Sequence, residues 1–359
     1  MIRFNLPDDG ATMLKDTAER FVADRYGLAR RGEMLRKPDD QIPAHWADMA
    51  GLGWLLAPVP ETAGGLGLPP VQIVALLEVL GAGLVLEPVG PVVMRCAATL
   101  ARALPDAEAV LAPVLSGGCI EVMAGGEEAA PITAMRDGER VTLAGRAPLV
   151  VGGAAARAFW VVARMEGAPA LIRVPADEVR LTRFRLVDGQ AAAKVVFDGV
   201  CCDAGGVITG CAPALAFGAD MGLLGMLAET SGLIDALYRA TLEHVKLREQ
   251  FGRPIGRFQA VQHRMADMFI AREEAQSMVQ LAAEAMESAD TGLRARLVSA
   301  ARIKIAGSAR AVLRDAVQLH GGMGVTDELP VGHMVKRLLV LTQMGGNRAT
   351  HLKRFREAA

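Results

Sequence analysis

The chain has 359 residues, a formal net charge of -1, 52% hydrophobic residues and only 4% aromatic ones. That charge excludes the basic footprint of a nucleic-acid binder. The length exceeds one small domain; roughly 150 residues per domain predicts two or three.

Alanine, leucine, glycine and methionine dominate, which favours close-packed helices over β-sandwiches. Cys96, Cys119, Cys201, Cys202 and Cys211 have no metal-ligand spacing. Their odd number, with no signal peptide at the start, predicts a reducing, cytoplasmic setting. The Cys201-Cys202 pair is expected to be structural. His45, His244, His263, His333 and His351 also form no metal spacing. No apolar run is long and clean enough for a membrane span. Residues 76–93 come closest and are interrupted by Glu78, Glu87, Pro88 and Pro91.

Residues 1–118 read as helical. Asp8 or Asp9 is placed to cap a helix that begins near Ala11. Trp46, Met49, Leu52 and Trp54 form an expected apolar cluster. A Pro/Gly-rich loop at 58–70 follows, then a helix with Ile73, Leu76, Leu77 and Leu80 on one face.

Helical periodicity fades over 119–206. Asp137-Gly138 predicts a hairpin turn between two short strands. Strand-like runs at 159–164, 170–174, 179–184 and 193–200 recur about every ten residues. They predict a small antiparallel barrel or sandwich.

Residues 207–359 are helical again. Leu223, Leu227, Ile234, Leu237, Leu242 and Val245 recur at helical spacing, as do Val261, Met265, Met268 and Phe269. A third helix is expected over about 293–320 and a fourth from about Val331 onward. Four long helices with short turns predict an antiparallel bundle.

Two stretches in this last segment carry more than helix punctuation requires. In LREQFGRPIGRFQAVQH (247–263), a helix stops at Phe251-Gly252-Arg253-Pro254 and restarts near Phe258. In QLHGGMGV (318–325), a helix ends in a Gly-Gly turn whose backbone a phosphate or a flat ring could approach closely. The plain alternatives are a C-cap glycine and a surface pairing of Arg248 with Glu249 or Glu243.

Taken with PETAGGLG (60–67), R-x-Q-F-G-x-P-I-x-x-F-Q (248–259), MADM (265–268) and QLHGGMGVTDELPVGHMVKR (318–337), the chain resembles the acyl-CoA dehydrogenase family over nearly its whole length. The resemblance implies a mainly α fold with a central β domain: a helical domain (1–118), a small β-barrel (119–206) and a C-terminal four-helix bundle (207–359). It implies FAD at a dimer interface, an acyl-CoA substrate, electron-transfer flavoprotein or a similar acceptor, and a homo- or hetero-oligomer. Carried over, Arg248 and Gln250 are pyrophosphate ligands. Phe251 and Gln259 are adenine-side contacts, and Gln318, Gly321 and Gly322 form the wall of the ADP pocket. His320 is expected only to pack or hydrogen-bond. Arg294, Arg296, Arg302, Lys304, Arg310 and Arg314 are expected on a solvated or interfacial face, from which one or two could meet CoA phosphates.

The sequence departs from the family pattern in two places. A catalytic carboxylate is usual near position 345, but Gly345 stands there and no acid lies between Glu328 and Glu357. The alternative base position falls near Gly222, where Asp220 is the nearest acid and Glu229 lies about two helical turns on. The flavin-packing Trp-x-Thr or Trp-x-Ser element also has no counterpart before Val150, in the region 147–160, and the loop upstream reads MAGGEEAAP. These departures predict a subunit that completes the FAD site of a related partner chain, as in bacterial heteromers acting on steroid or other bulky acyl-CoA substrates. The alternatives are a self-sufficient homo-oligomer using Asp220, and a structural relative without redox work.

Overall fold

A computed structural model describes residues 9–126 and 131–358. Asp8 and part of the MAGGEEAAP loop lie outside the described residues. In chain order the helices are α1 (Asp9–Arg25), α2 (Leu28–Met34), α3 (Trp46–Gly51), α4 (Pro70–Ala82), α5 (Ala98–Ala103) and α6 (Ala107–Leu115). A π-helical turn, Gly90–Ala97, leads into α5. The strands are β1 (Glu121–Ala124), β2 (Ile132–Asp137), β3 (Arg140–Val151), β4 (Ala158–Met165), β5 (Ala168–Pro175), β6 (Arg180–Arg185), β7 (Ala191–Asp203) and β8 (Val207–Ile208). Then come α7 (Ala212–Leu247), the two-residue strands β9 (Glu249–Gln250) and β10 (Arg253–Pro254), α8 (Gln259–Met286), α9 (Thr291–His320), α10 (Pro330–Gln343) and α11 (Arg348–Glu357). No helix of the described residues is long and apolar enough to cross a membrane.

The chain forms two compact units that do not follow chain order. One unit holds the described part of Met1–Glu33, Pro69–Val85 and Leu223–Ala359. Here α4 starts at Pro70, where a missing N–H costs nothing, and buries Ile73, Leu76, Leu77 and Leu80 as its periodicity predicts. It lies directly on α7: a Cβ on Gly232 would sit 1.9 Å from the Glu78 carbonyl oxygen. Ser231 Oγ donates to Glu78 at 2.7 Å across the same contact. Both α8 and α9 bury small residues, Ala271, Ala275 and Ala282 on α8 and Ala301 and Ala309 on α9, the kind that let packed helices approach closely. Asp290 caps α9 by accepting from the amides of Gly292 and Leu293 at 2.9 and 3.0 Å. The expected fourth helix is two helices. The chain breaks between Gln343 and Arg348, where Gly345 and Gly346 have φ +68° and +87°.

The second unit holds Met34–Leu68 and Leu86–Gly222. Trp46, Met49 and Trp54 are buried in it as expected, but Leu52 is 43% exposed. Leu52 caps the short α3 and so sits in the turn after it. The predicted hairpin joins β2 to β3, with Gly138 and Glu139 between the paired Asp137 and Arg140. The small β domain expected at 119–206 is present, and among the described residues its sheet is open and mixed rather than an antiparallel barrel or sandwich. The strand order is β6-β7-β3-β2-β4-β5-β8, with β1 beside β4, and no pairing among the described residues joins β6 to β8. Two features keep it open and mixed. β8 is only two residues long, and β1 and β2 both pair β4 in parallel.

Burial raises two carboxylic acids, Glu78 in the first unit and Glu87 in the second, from 4.5 to about 7. Between those values the folded chain holds protons that the unfolded chain has released. Stability is therefore lost as pH rises through that window. Glu78→Gln keeps an acceptor for Ser231 and is expected to flatten the fall in Tm over this range. A slope unchanged from the parent's would mean that Glu78 does not titrate there.

Candidate functional site

The end of α7 builds a small exposed projection. β9 and β10 pair Gln250 with Arg253 and Glu249 with Pro254, leaving Phe251 and Gly252 as a two-residue loop. Their φ values are +53° and +77°. This is the primed turn that fits a tight hairpin, usually built from Asn-Gly or Gly-Gly. A phenylalanine there is strained, and it is also 92% exposed. Its ring meets Phe258 edge-on at 6.1 Å, and the Arg253 guanidinium lies 4.3 Å from the Phe258 centroid.

Arg248 is held through its backbone. Its amide donates to the His244 carbonyl, and its carbonyl accepts from Ile255, both at 2.8 Å. The side chain is exposed and makes no ion pair among the described residues. Glu243 is taken by Lys246 at 2.8 Å. Gln250 is exposed, with its Nε2 on the Glu249 carbonyl at 2.8 Å. Gln259 is exposed at the first position of α8.

The second motif arrives beside the first. His320, at the end of α9, stacks on His244 at 4.2 Å and bonds the Ala316 carbonyl at 3.0 Å. Burial holds His244 below the usual imidazole range, and the neighbouring His320 and Arg248 reinforce this. The stacked rings thus tie the end of α7 to the end of α9. Gln318, two residues before His320, and Gly321 and Gly322 just after it are exposed. Gly321 has φ +62°, ψ -144°, a conformation closed to other residues. Gly322 has no positive φ, and a Cβ added there would meet nothing within 4 Å, so the fold itself does not require a glycine at that position.

The positions considered for a base look different. A Cβ on Gly345 would meet Met226 Cε at 2.4 Å and Leu223 Cδ1 at 3.2 Å, on top of its left-handed φ. Asp220 is fully enclosed within α7, in the second unit. Glu229 forms an ion pair with Arg337 on α10. In the sheet, the tryptophan of the 147–160 region, Trp160, is buried. Its Nε1 donates to Glu121 at 2.8 Å, and Arg173 grips the same carboxylate at 2.5 and 3.2 Å. This triad, split over β1, β4 and β5, has no local sequence signal. No cluster of metal-ligand residues exists among the described residues.

Residues 8–103 match the family description "Acyl-CoA dehydrogenase, N-terminal domain", and residues 218–359 match "Acyl-CoA dehydrogenase, C-terminal domain". The chain belongs to the acyl-CoA dehydrogenase family. Members are FAD oxidoreductases acting on CH–CH bonds. Acyl-CoA dehydrogenase IpdE2 of Mycobacterium tuberculosis is 27% identical over 90% of this chain and 88% of its own length. The ChsE4-ChsE5 complex of the same organism contains a chain with the same fold, at TM-score 0.89 and 24% identity, covering 98% of this chain and 97% of that one. A variant of the Tcur3481-Tcur3483 steroid ACAD gives TM-score 0.88 and 25% identity over 98% and 97%.

This acyl-CoA dehydrogenase fold therefore presents two unlike halves. The residues at which a dinucleotide was expected, Arg248, Gln250 and Phe251 among them, are solvent-facing. At 345, where a base was expected, stands a glycine with a left-handed φ of +68°. Gly345→Ala is expected to lower stability by about 1–2 kcal/mol through the left-handed φ, and Gly345→Glu by at least as much. Urea unfolding of both variants checks this. Unchanged stability of Gly345→Ala would mean the loop relaxes freely, and a carboxylate could then be housed there.

Proposed function

We propose that this chain is one subunit of a heteromeric acyl-CoA dehydrogenase and lends its dinucleotide arm to FAD held mainly by a related partner chain. FAD, when bound, accepts the hydride lost from the β-carbon of an acyl thioester, while a carboxylate removes the α-proton. In this reading Arg248 and Gln250 meet the pyrophosphate, the guanidinium by charge-assisted hydrogen bonds. Phe251 and Gln259 face the adenine. Gln318, Gly321 and Gly322 leave the ADP moiety room to lie against bare backbone. The partner chain supplies the base and the flavin wall. The substrate is a bulky acyl-CoA, and electrons leave to an electron-transfer flavoprotein or a similar acceptor.

The observation that carries this reading is Phe251: strained, almost wholly exposed, and adjacent to an arginine without an ion pair among the described residues. A chain serving only its own fold gains nothing from that arrangement, whereas a ligand shared with another chain does. Gly345 supports it, since the residue offers no proton acceptor. The enclosed Asp220 counts against a base in the alternative position. The two-chain character of the ChsE4-ChsE5 and Tcur3481-Tcur3483 assemblies points the same way.

Flavin released by denaturation measures the outcome. The chain purified alone is expected to carry little FAD and to reduce no dye with acyl-CoA. With a related partner chain co-expressed, flavin and activity return, and Arg248→Ala in this chain lowers the FAD retained by the mixed complex. About one FAD per chain in the isolated protein, with acyl-CoA-dependent dye reduction, would sink the shared-site reading.

A further inference from the structure

The hairpin with Arg248 and the turn with Gly321 and Gly322 come from different helices. The first follows α7 and the second follows α9. Two elements that meet one ligand need their separation held to within about half an ångström. Neither element fixes it alone, since residues 246–253 and 321–323 are all exposed.

Beneath both lies the His244–His320 stack, and the contacts around it lead to one element or the other. On the α7 side, the His244 carbonyl accepts from the Arg248 amide, and the Arg248 carbonyl accepts from Ile255, both at 2.8 Å. The chain returning from the hairpin rests on the same turn: a Cβ on Gly256 would lie 3.0 Å from the Val245 carbonyl oxygen. On the α9 side, His320 Nδ1 bonds the Ala316 carbonyl at 3.0 Å. The His244 ring reaches across and bonds the main chain at Leu319. The glycine turn then folds back over His320, where a Cβ on Gly324 would lie 3.1 Å from the His320 Cβ.

The two ring centroids are 4.2 Å apart, with 25° between the planes. Stacked flat rings fix a contact distance through their thickness, whereas long flexible side chains leave it to rotamers. His320 is buried and acts through its neighbours. We propose that His244 and His320 are positioning residues, and that their stack is the spacer that sets the Arg248 hairpin against the Gly321–Gly322 turn. The role rests on the shared-site reading for the identity of the ligand.

Two substitutions separate the ring from the rest of the side chain. His320→Ala removes it, and His320→Phe keeps a flat ring without the imidazole nitrogens. In the full chain alone, hydrogen exchange over residues 248–256 is expected to rise roughly three- to tenfold in His320→Ala, the worth of an aromatic pair. It returns to the parent's rate in His320→Phe, while α1 is unchanged in both. In the mixed complex, FAD leaves His320→Ala faster by a similar factor, and His320→Phe restores its retention. His244→Ala opens the stack from the other side and carries the test where His320→Ala does not fold. Unchanged exchange in the alanine variant overturns the positioning role, as does a phenylalanine variant as impaired as the alanine one. FAD lost in Arg248→Ala but retained in His320→Ala overturns the positioning role alone. FAD retained in both overturns the shared-site reading and the positioning role with it.

Discussion

One buried cation sets the geometry of the chain's last forty residues. The Nη2 of Arg302 donates to the carbonyls of Thr342, Met344 and Gly346 at 3.1, 2.5 and 3.3 Å. The final carbonyls of a helix have no partners within it, and they form the negative end of its dipole. A guanidinium placed there satisfies them and is itself compensated for leaving water. His351 adds a bond to the Gly345 carbonyl at 2.6 Å from inside α11. With its carbonyls pinned in this way, the chain must turn through left-handed conformations at 345 and 346. Glycine is the natural occupant of such a position, and glycine carries no acid. The glycine at 345 and the packing of the last two helices are thus linked.

The projection after α7 shows the opposite balance. There, strain is placed where the chain has no packing to offset it: a left-handed phenylalanine on a two-residue loop, facing solvent. The His244–His320 stack keeps this loop beside the end of α9, and burial holds the His244 imidazole below its usual range. Rigid support beneath an exposed aromatic ring and a guanidinium suits a surface that meets a ligand from outside.

Helix packing within the first unit follows a different rule, close approach of backbones. Gly81 and Gly232 bring α4 and α7 together so tightly that a methyl group at either position would overlap the opposing main chain. That contact draws α1 and α4 into one unit with helices more than a hundred residues away. The buried Glu78 lies in it, and its raised proton affinity follows from placing a carboxyl group at such a seam.

The sequence by itself determined what depends on near neighbours. The face of α4 and the turn at Gly138 follow from spacings of a few residues, because helix and hairpin geometry repeats over that distance. The arm motifs were legible for the same reason: each is a contiguous run whose polar, aromatic and glycine residues exceed what a helix end needs. The missing acid near 345 was equally visible as an absence. Tertiary structure alone decided the rest. It left the sheet open, exposed Leu52, broke the last helix, and joined Glu121, Trp160 and Arg173 across three strands. It also turned a row of arginines into a groove with one buried member. These outcomes depend on which side chains meet after residues tens to hundreds of positions apart are packed. No local period encodes that choice.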